Sequence, residues 1–264
     1  MGQRPNSAAT CALSLLFIFA GAQIGSATQQ RPDKLALVGG MLLDGYETPP
    51  IHHAAVVIEG NRITAAGPAS EIEIPADALV IDTSGKTMLP GLIDLHVHLM
   101  ILGHGEYVEW WPILEGREHE MMAISAKQLL MAGVTTAVDL GAPLEILNVR
   151  DKINAGEIPG PRMLVSGPWI TRAGHQHPSY FQRRISSPEE AAEATRDLIE
   201  AGVDLIKTWA GMTEEDIRAV VDVAHQEGVR VHSHLYAPAA LWEAIRAGTD
   251  VIQHGGSGGN PPYS

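Results

Sequence analysis

Cysteine is almost missing from this 264-residue chain, which has only Cys11. One thiol rules out an internal disulfide and a metal centre built on paired cysteines, so any metal must be held by histidine, carboxylate or modified lysine. Basic residues are also scarce, with 18 Lys and Arg against 31 Asp and Glu and a formal net charge of −13. Without clustered Lys and Arg there is no surface for a phosphate backbone, which argues against a nucleic-acid partner. Long apolar runs are absent too. The longest, within residues 11–22, is too short to cross a bilayer comfortably. The remaining composition, 45% hydrophobic and 19% charged, is that of an ordinary globular protein.

That apolar run has the form of a secretory signal over residues 1–27: Arg4 before it, and Gly25-Ser26-Ala27 as a small-residue cleavage site. Cys11 lies inside it and lacks the preceding residues of a lipoprotein signal. The expectation is export to a periplasm or medium, with no stable membrane span once the signal is cleaved. Residues 33–90 alternate β-prone runs with turn pairs such as Gly60-Asn61 and Ser84-Gly85, which predicts a small β domain.

From residue 91 onward a different phrase recurs. A helical segment ends in Gly133, Gly202, Gly228 or Gly248, and an apolar strand follows. Ser187-Pro188-Glu189-Glu190 and Thr213-Glu214-Glu215-Asp216 both resemble capping boxes at helix starts. Repeated βα units with nearly continuous apolar strands imply an α/β fold with a parallel sheet covered by helices. Six strands are expected, near 94–99, 134–139, 162–166, 203–209, 229–234 and 250–254. His98, Asp139, Lys207, His234 and His254 each fall at the C-terminal end of a different strand. Such ends converge on one mouth in a (β/α)8 barrel, whereas an open sheet spreads them along a crevice. Convergence favours a TIM-type barrel, incomplete over residues 91–264.

Chemistry concentrates in the same residues. His96 and His98 sit one residue apart in a strand, so both imidazoles project to one side. Their neighbours Leu92, Ile93, Leu95, Val97 and Leu99 predict a strand buried on both faces, where polar nitrogens must be satisfied. His232 and His234 repeat the spacing; His234, nearer the strand end, is the better ligand candidate, and His232 suits a supporting or packing role. Lys207 ends the buried run Val203–Ile206. It is either a lysine whose ammonium reaches out of the strand end, or an amine of depressed pKa that takes up carbon dioxide as a carbamate. Asp94 suits orienting nearby backbone. His175 and His177 lie in a loop, and His175 and Tyr236 are candidates for substrate contact with a purely structural role open for each. His52, His53, His104, His119 and His225 read as surface residues, and Trp110 and Trp111 as packing residues.

The stretches "LPGLIDLHVHL", "GVTTAVDLG", "GPRMLVSGPWITRAGHQHP", "DLIKTWAG" and "AIRAGTDVIQHG" resemble the amidohydrolase superfamily, in particular its imidazolonepropionase-like and Xaa-Pro-dipeptidase-like branch, over about residues 33–256. The resemblance implies two divalent ions, zinc first among candidates. His96 and His98 would hold one, His234 and His254 the other, and carboxylated Lys207 would bridge them. It implies that residues 33–90 form half of a composite β-sandwich. It also implies hydrolysis of a C–N bond in a dipeptide or N-acyl amino acid, with an imidazolone-type cyclic amide as the alternative. A homo-oligomer is compatible with it. The catalytic aspartate such enzymes carry after strand eight has no counterpart in these 264 residues, so the chain by itself is expected to be an inactive fragment.

Overall fold

The computed structural model describes residues 32–46, 48–101, 107–172, 179–235 and 238–254. The expected signal at 1–27, His104, His175, His177 and Tyr236 lie outside the described residues. The chain divides into two compact units, at Leu89 and Pro90.

In the first unit, β1 (Lys34–Val38) pairs antiparallel with β3 (Ala54–Glu59) and parallel with β5 (Leu79–Asp82), while β4 (Arg62–Pro68) closes a hairpin with β3. β2 (Met41–Leu42) and β6 (Thr87–Met88) form a short parallel ladder. The β3–β4 turn passes through Gly60 at φ +59°, a left-handed conformation that glycine adopts without a Cβ clash. Leu42, Ala54, Val56 and Met88 form this unit's buried cluster. The elements described are a four-stranded sheet and a two-stranded ladder.

The second unit alternates strands with helices: β7 (Leu92–Val97), α1 (Tyr107–Leu114), α2 (Glu118–Met131), β8 (Val134–Asp139), α3 (Ile146–Asn154) and β9 (Arg162–Val165). There follow β10 (Trp169–Thr171), β11 (Gln182–Arg184), α4 (Pro188–Ala201), β12 (Leu205–Thr208), α5 (Glu214–Gln226), β13 (Arg230–His234), α6 (Pro238–Ala247) and β14 (Val251–Gln253). Every strand pair is parallel, which makes this an α/β unit. The described strands form two ladders, β7-β8-β9 and β11-β10-β12-β13-β14, where one continuous barrel sheet was expected. Asp204 stitches the two together: its backbone N–H donates to the Val165 carbonyl, and its carboxylate accepts from the Val165 N–H at 2.9 Å.

The helices follow their local chemistry. α5 begins with a complete capping box between Thr213 and Asp216, and Ile217, Val220, Val221 and Ala224 supply its buried stripe. Ser187 caps α4 by accepting from the Glu190 N–H, but the Glu190 carboxylate accepts from Ser186 instead of closing the box on Ser187. Gly133, Gly202, Gly228 and Gly248 have φ of 90°, 95°, 70° and 91°, as the left-handed ends of helices require.

Three strand expectations are corrected. β10 and β11 are additional; the three residues of β11 are too few and too polar to show alternation. β7 is not buried on both faces: Leu92, Ile93 and Leu95 are exposed, and among the described strands β7 is the edge of its ladder, paired with β8 alone. It also stops at Val97, short of His98, because the Leu99 N–H leaves the ladder and donates to the Asp139 carboxylate at 2.7 Å.

Candidate metal centre

The C-terminal ends of β7, β12, β13 and β14 bring His96, His98, Lys207, His234 and His254 into one neighbourhood. His96 sits in a bulge, since Asp94 opposes Ala137 and Val97 opposes Asp139, leaving three steps of β7 against two of β8. The His96 N–H, displaced from the ladder, donates to Asp94 Oδ1 at 3.1 Å, so Asp94 does orient local backbone. The result aims both rings of the His-x-His pair at one point, with the two Nε2 atoms 3.2 Å apart. His98 Nδ1 lies 3.4 Å from the Gly141 carbonyl, and Gly141 is anchored by its own N–H on Asp139 Oδ1 at 2.9 Å. Asp139 is fully buried, and burial raises its pKa to about 6 against the pull of the two backbone N–H groups it accepts.

His234 closes β13 and His254 follows β14 with φ +64°, a left-handed residue that turns its ring back toward the strand end. His254 Nε2 and His234 Nδ1 are 2.9 Å apart. The His96 and His254 ring centroids are 4.7 Å apart, so the two histidine pairs adjoin. Among the described residues no group of three or more His, Cys, Asp or Glu stands in ligating geometry. The imidazoles instead form two pairs, with the lysine as the remaining donor.

Lys207 is wholly buried in β12, and its Nζ has no hydrogen-bond partner among the described residues. Its ammonium lies 5.9 Å from the Trp209 ring centroid. Burial pulls its pKa from 10.5 down to about 7. Of the two sequence readings, an ammonium reaching into solvent is therefore wrong. Burial, reinforced by the neighbouring ammonium, lowers His96 to about 4, His98 to about 3 and His234 to about 2. His254 is lowered by the same causes in the same order. All four rings are neutral at pH 7, with lone pairs available.

The donor set fits a cation. His98 Nδ1 faces only a carbonyl, which must accept, so its Nε2 carries a lone pair aimed at His96. Neutral imidazoles around a buried, unpaired amine would be an expensive arrangement to maintain without a ligand.

Sequence reasoning passed over several participants. Gln253, 8% exposed, places Oε1 2.7 Å from His96 Nδ1 and Nε2 3.0 Å from His232 Nδ1. Its signal was an amide inside a short apolar strand, beside a histidine. Trp209 stacks on His234 with centroids 3.7 Å apart and on Trp169 at 4.6 Å, while Trp111, expected to pack, lies against Phe181 at 4.9 Å. Two supposed surface histidines have partners: His225 with Asp250 at 3.0 Å, and His119 with Lys152 at 3.2 Å. Among the described residues no helix is long and apolar enough to cross a membrane.

Comparison with known proteins places this geometry in context. A family model described as "Amidohydrolase family" matches residues 87–259. Enamidase of Eubacterium barkeri is 25% identical over 230 residues, 82% of this chain and 53% of the enzyme. Imidazolonepropionase of Geobacillus kaustophilus is 44% identical over 71 residues, 25% of this chain and 16% of the enzyme. A crystal structure from Bifidobacterium longum described as a prolidase superposes with a TM-score of 0.73 at 32% identity, covering 85% of this chain and 55% of that one. The chain spans about half the length of the curated relatives it matches.

Proposed function

The chain belongs to the amidohydrolase family, and on that premise we propose that it carries the metal-binding half of an exported hydrolase that cleaves a C–N bond in a dipeptide or N-acyl amino acid. The observation carrying this reading is Lys207, a fully buried amine without a hydrogen-bond partner whose charge bears on every imidazole of the cluster.

His96 and His98 would hold one divalent ion and His234 and His254 a second, with zinc favoured by the nitrogen and carboxylate donors. When bound, such ions supply Lewis acidity toward a carbonyl and toward water. With a pKa near 7, Lys207 spends a large share of its time as the free amine at neutral pH. The free amine would add to carbon dioxide: an N–C bond forms, one proton leaves, and the product is an anionic two-oxygen carbamate, a donor of the kind a divalent ion takes. Asp139 holds His98 in place through Leu99 and Gly141, and with both oxygens engaged it is not available to shuttle protons.

The likeness to a prolidase favours the dipeptide; the local match to imidazolonepropionase supports the cyclic amide as a second reading. The incomplete TIM-type barrel over residues 91–264, the half-sandwich assignment of residues 33–90 and the secretion signal at 1–27 are part of the same reading. The test is elemental analysis of the chain beside Lys207→Ala, loaded with zinc under carbon dioxide. About two ions per chain in the parent and a sharp fall in the variant support the bridged pair. One ion or none in the parent refutes it. Assays on Xaa-Pro dipeptides, N-acyl amino acids and cyclic amides, with the longer protein where the gene encodes one, separate the substrate readings.

A further inference from the structure

His232, like His96, is the first histidine of a His-x-His spacing carried on a strand. The structure separates them through Gln253. Its amide reaches from β14 across to β7 on one side and to β13 on the other, with Oε1 2.7 Å from His96 Nδ1 and Nε2 3.0 Å from His232 Nδ1. An amide oxygen only accepts and an amide NH2 only donates, so the two contacts demand opposite things of the two rings. His96 must carry its proton on Nδ1, which leaves the Nε2 lone pair aimed at His98. His232 must present a lone pair on Nδ1, which puts its proton on Nε2 and makes that nitrogen useless as a ligand.

We propose that Gln253 is a positioning residue that sets opposite tautomers on His96 and His232, making the first a metal ligand and withholding the second. This rests on the reading of the cluster as a metal centre. It concerns which nitrogen of a neutral ring holds the proton, and a partner on the far nitrogen is the usual way a ligating imidazole is oriented. The amide is buried, so water does not compete for either contact.

The measurement is 15N NMR of the histidine-labelled chain, with signals assigned from His96→Asn and His232→Asn variants, together with zinc affinity by chelator competition. The parent should show His96 protonated on Nδ1 and His232 on Nε2. Gln253→Glu offers only acceptors, so His96 should keep its tautomer while His232 switches its proton to Nδ1, with zinc affinity retained. Gln253→Leu should release both tautomers and weaken zinc about 10–100-fold. A parent with His96 protonated on Nε2, an unswitched His232 in Gln253→Glu, or unweakened zinc binding in Gln253→Leu would overturn the proposal. A parent that shows the stated tautomers but binds no zinc would instead overturn the metal reading, so the two failures are distinguishable.

Discussion

Replacing Lys207 with methionine should stabilise the metal-free protein, and the gain should depend on pH in a defined way. The amine is fully buried without a hydrogen-bond partner, and its pKa falls from 10.5 to about 7. At about 1.36 kcal/mol per pH unit that fall corresponds to about 5 kcal/mol of penalty on the charged form. The sign follows from proton counts: between about pH 7 and 10.5 the unfolded chain holds the Lys207 proton and the folded chain has released it. Stability therefore rises with pH across that window, and the whole penalty is felt below it. Methionine has nearly the same reach and no charge, so Lys207→Met should gain up to about 5 kcal/mol at pH 6 to 7, fading to near zero by pH 10 to 11. Denaturant unfolding of both proteins, metal-free and in carbon-dioxide-free buffer, measures the gap at each pH. A gap that stays constant with pH, or a destabilised methionine variant, would show that the amine is not desolvated and would remove the basis for a carbamate at neutral pH.

Gly141→Ala would drive a Cβ into the ring of buried Trp169, which is itself packed on Trp209 and Phe181. The ring has nowhere to go, so a loss of about 1–3 kcal/mol is expected in chemical denaturation, and an unchanged midpoint would contradict the packing. Asp216 is buried, which by itself raises its pKa, but hydrogen bonds from Arg172 and from the Thr213 N–H outweigh that and hold it below the usual carboxylate range. A depressed folded pKa gives stability that is present above the ordinary carboxylate value and lost as pH falls through the folded one. Asp216→Asn should thus lose about 1–3 kcal/mol at pH 7 and show a shallower acid decline; parallel acid curves would refute the assignment.

Where a structural decision was local, it was legible in the chain. Thr213 and Asp216 lie three residues apart and close a capping box through their own side chains and backbone, with no help from elsewhere in the fold. The helix-ending glycines likewise need only their own φ. Strand alternation failed at β11, because Gln182–Arg184 is a strand only by virtue of pairing with β10. The apolar run of β7 suggested two covered faces; covering is a property of neighbours, and among the described strands β7 has one.

The candidate centre divides along the same line. The residue types and their places at strand ends were set by the sequence itself: paired histidines at i and i+2, a lysine in an apolar run, and a cysteine-poor chain that leaves nitrogen and oxygen as the donors. What only the tertiary structure decided is which nitrogen faces which partner. Gln253, His96 and His232 come from three strands far apart in the chain, and the tautomers of the two rings depend on an amide that reaches both. Lys207 owes its depressed pKa to burial, which exists only once the chain has packed around it. Electrostatics and hydrogen-bond polarity act over a few ångströms of space, and that proximity exists only once the sheets have formed.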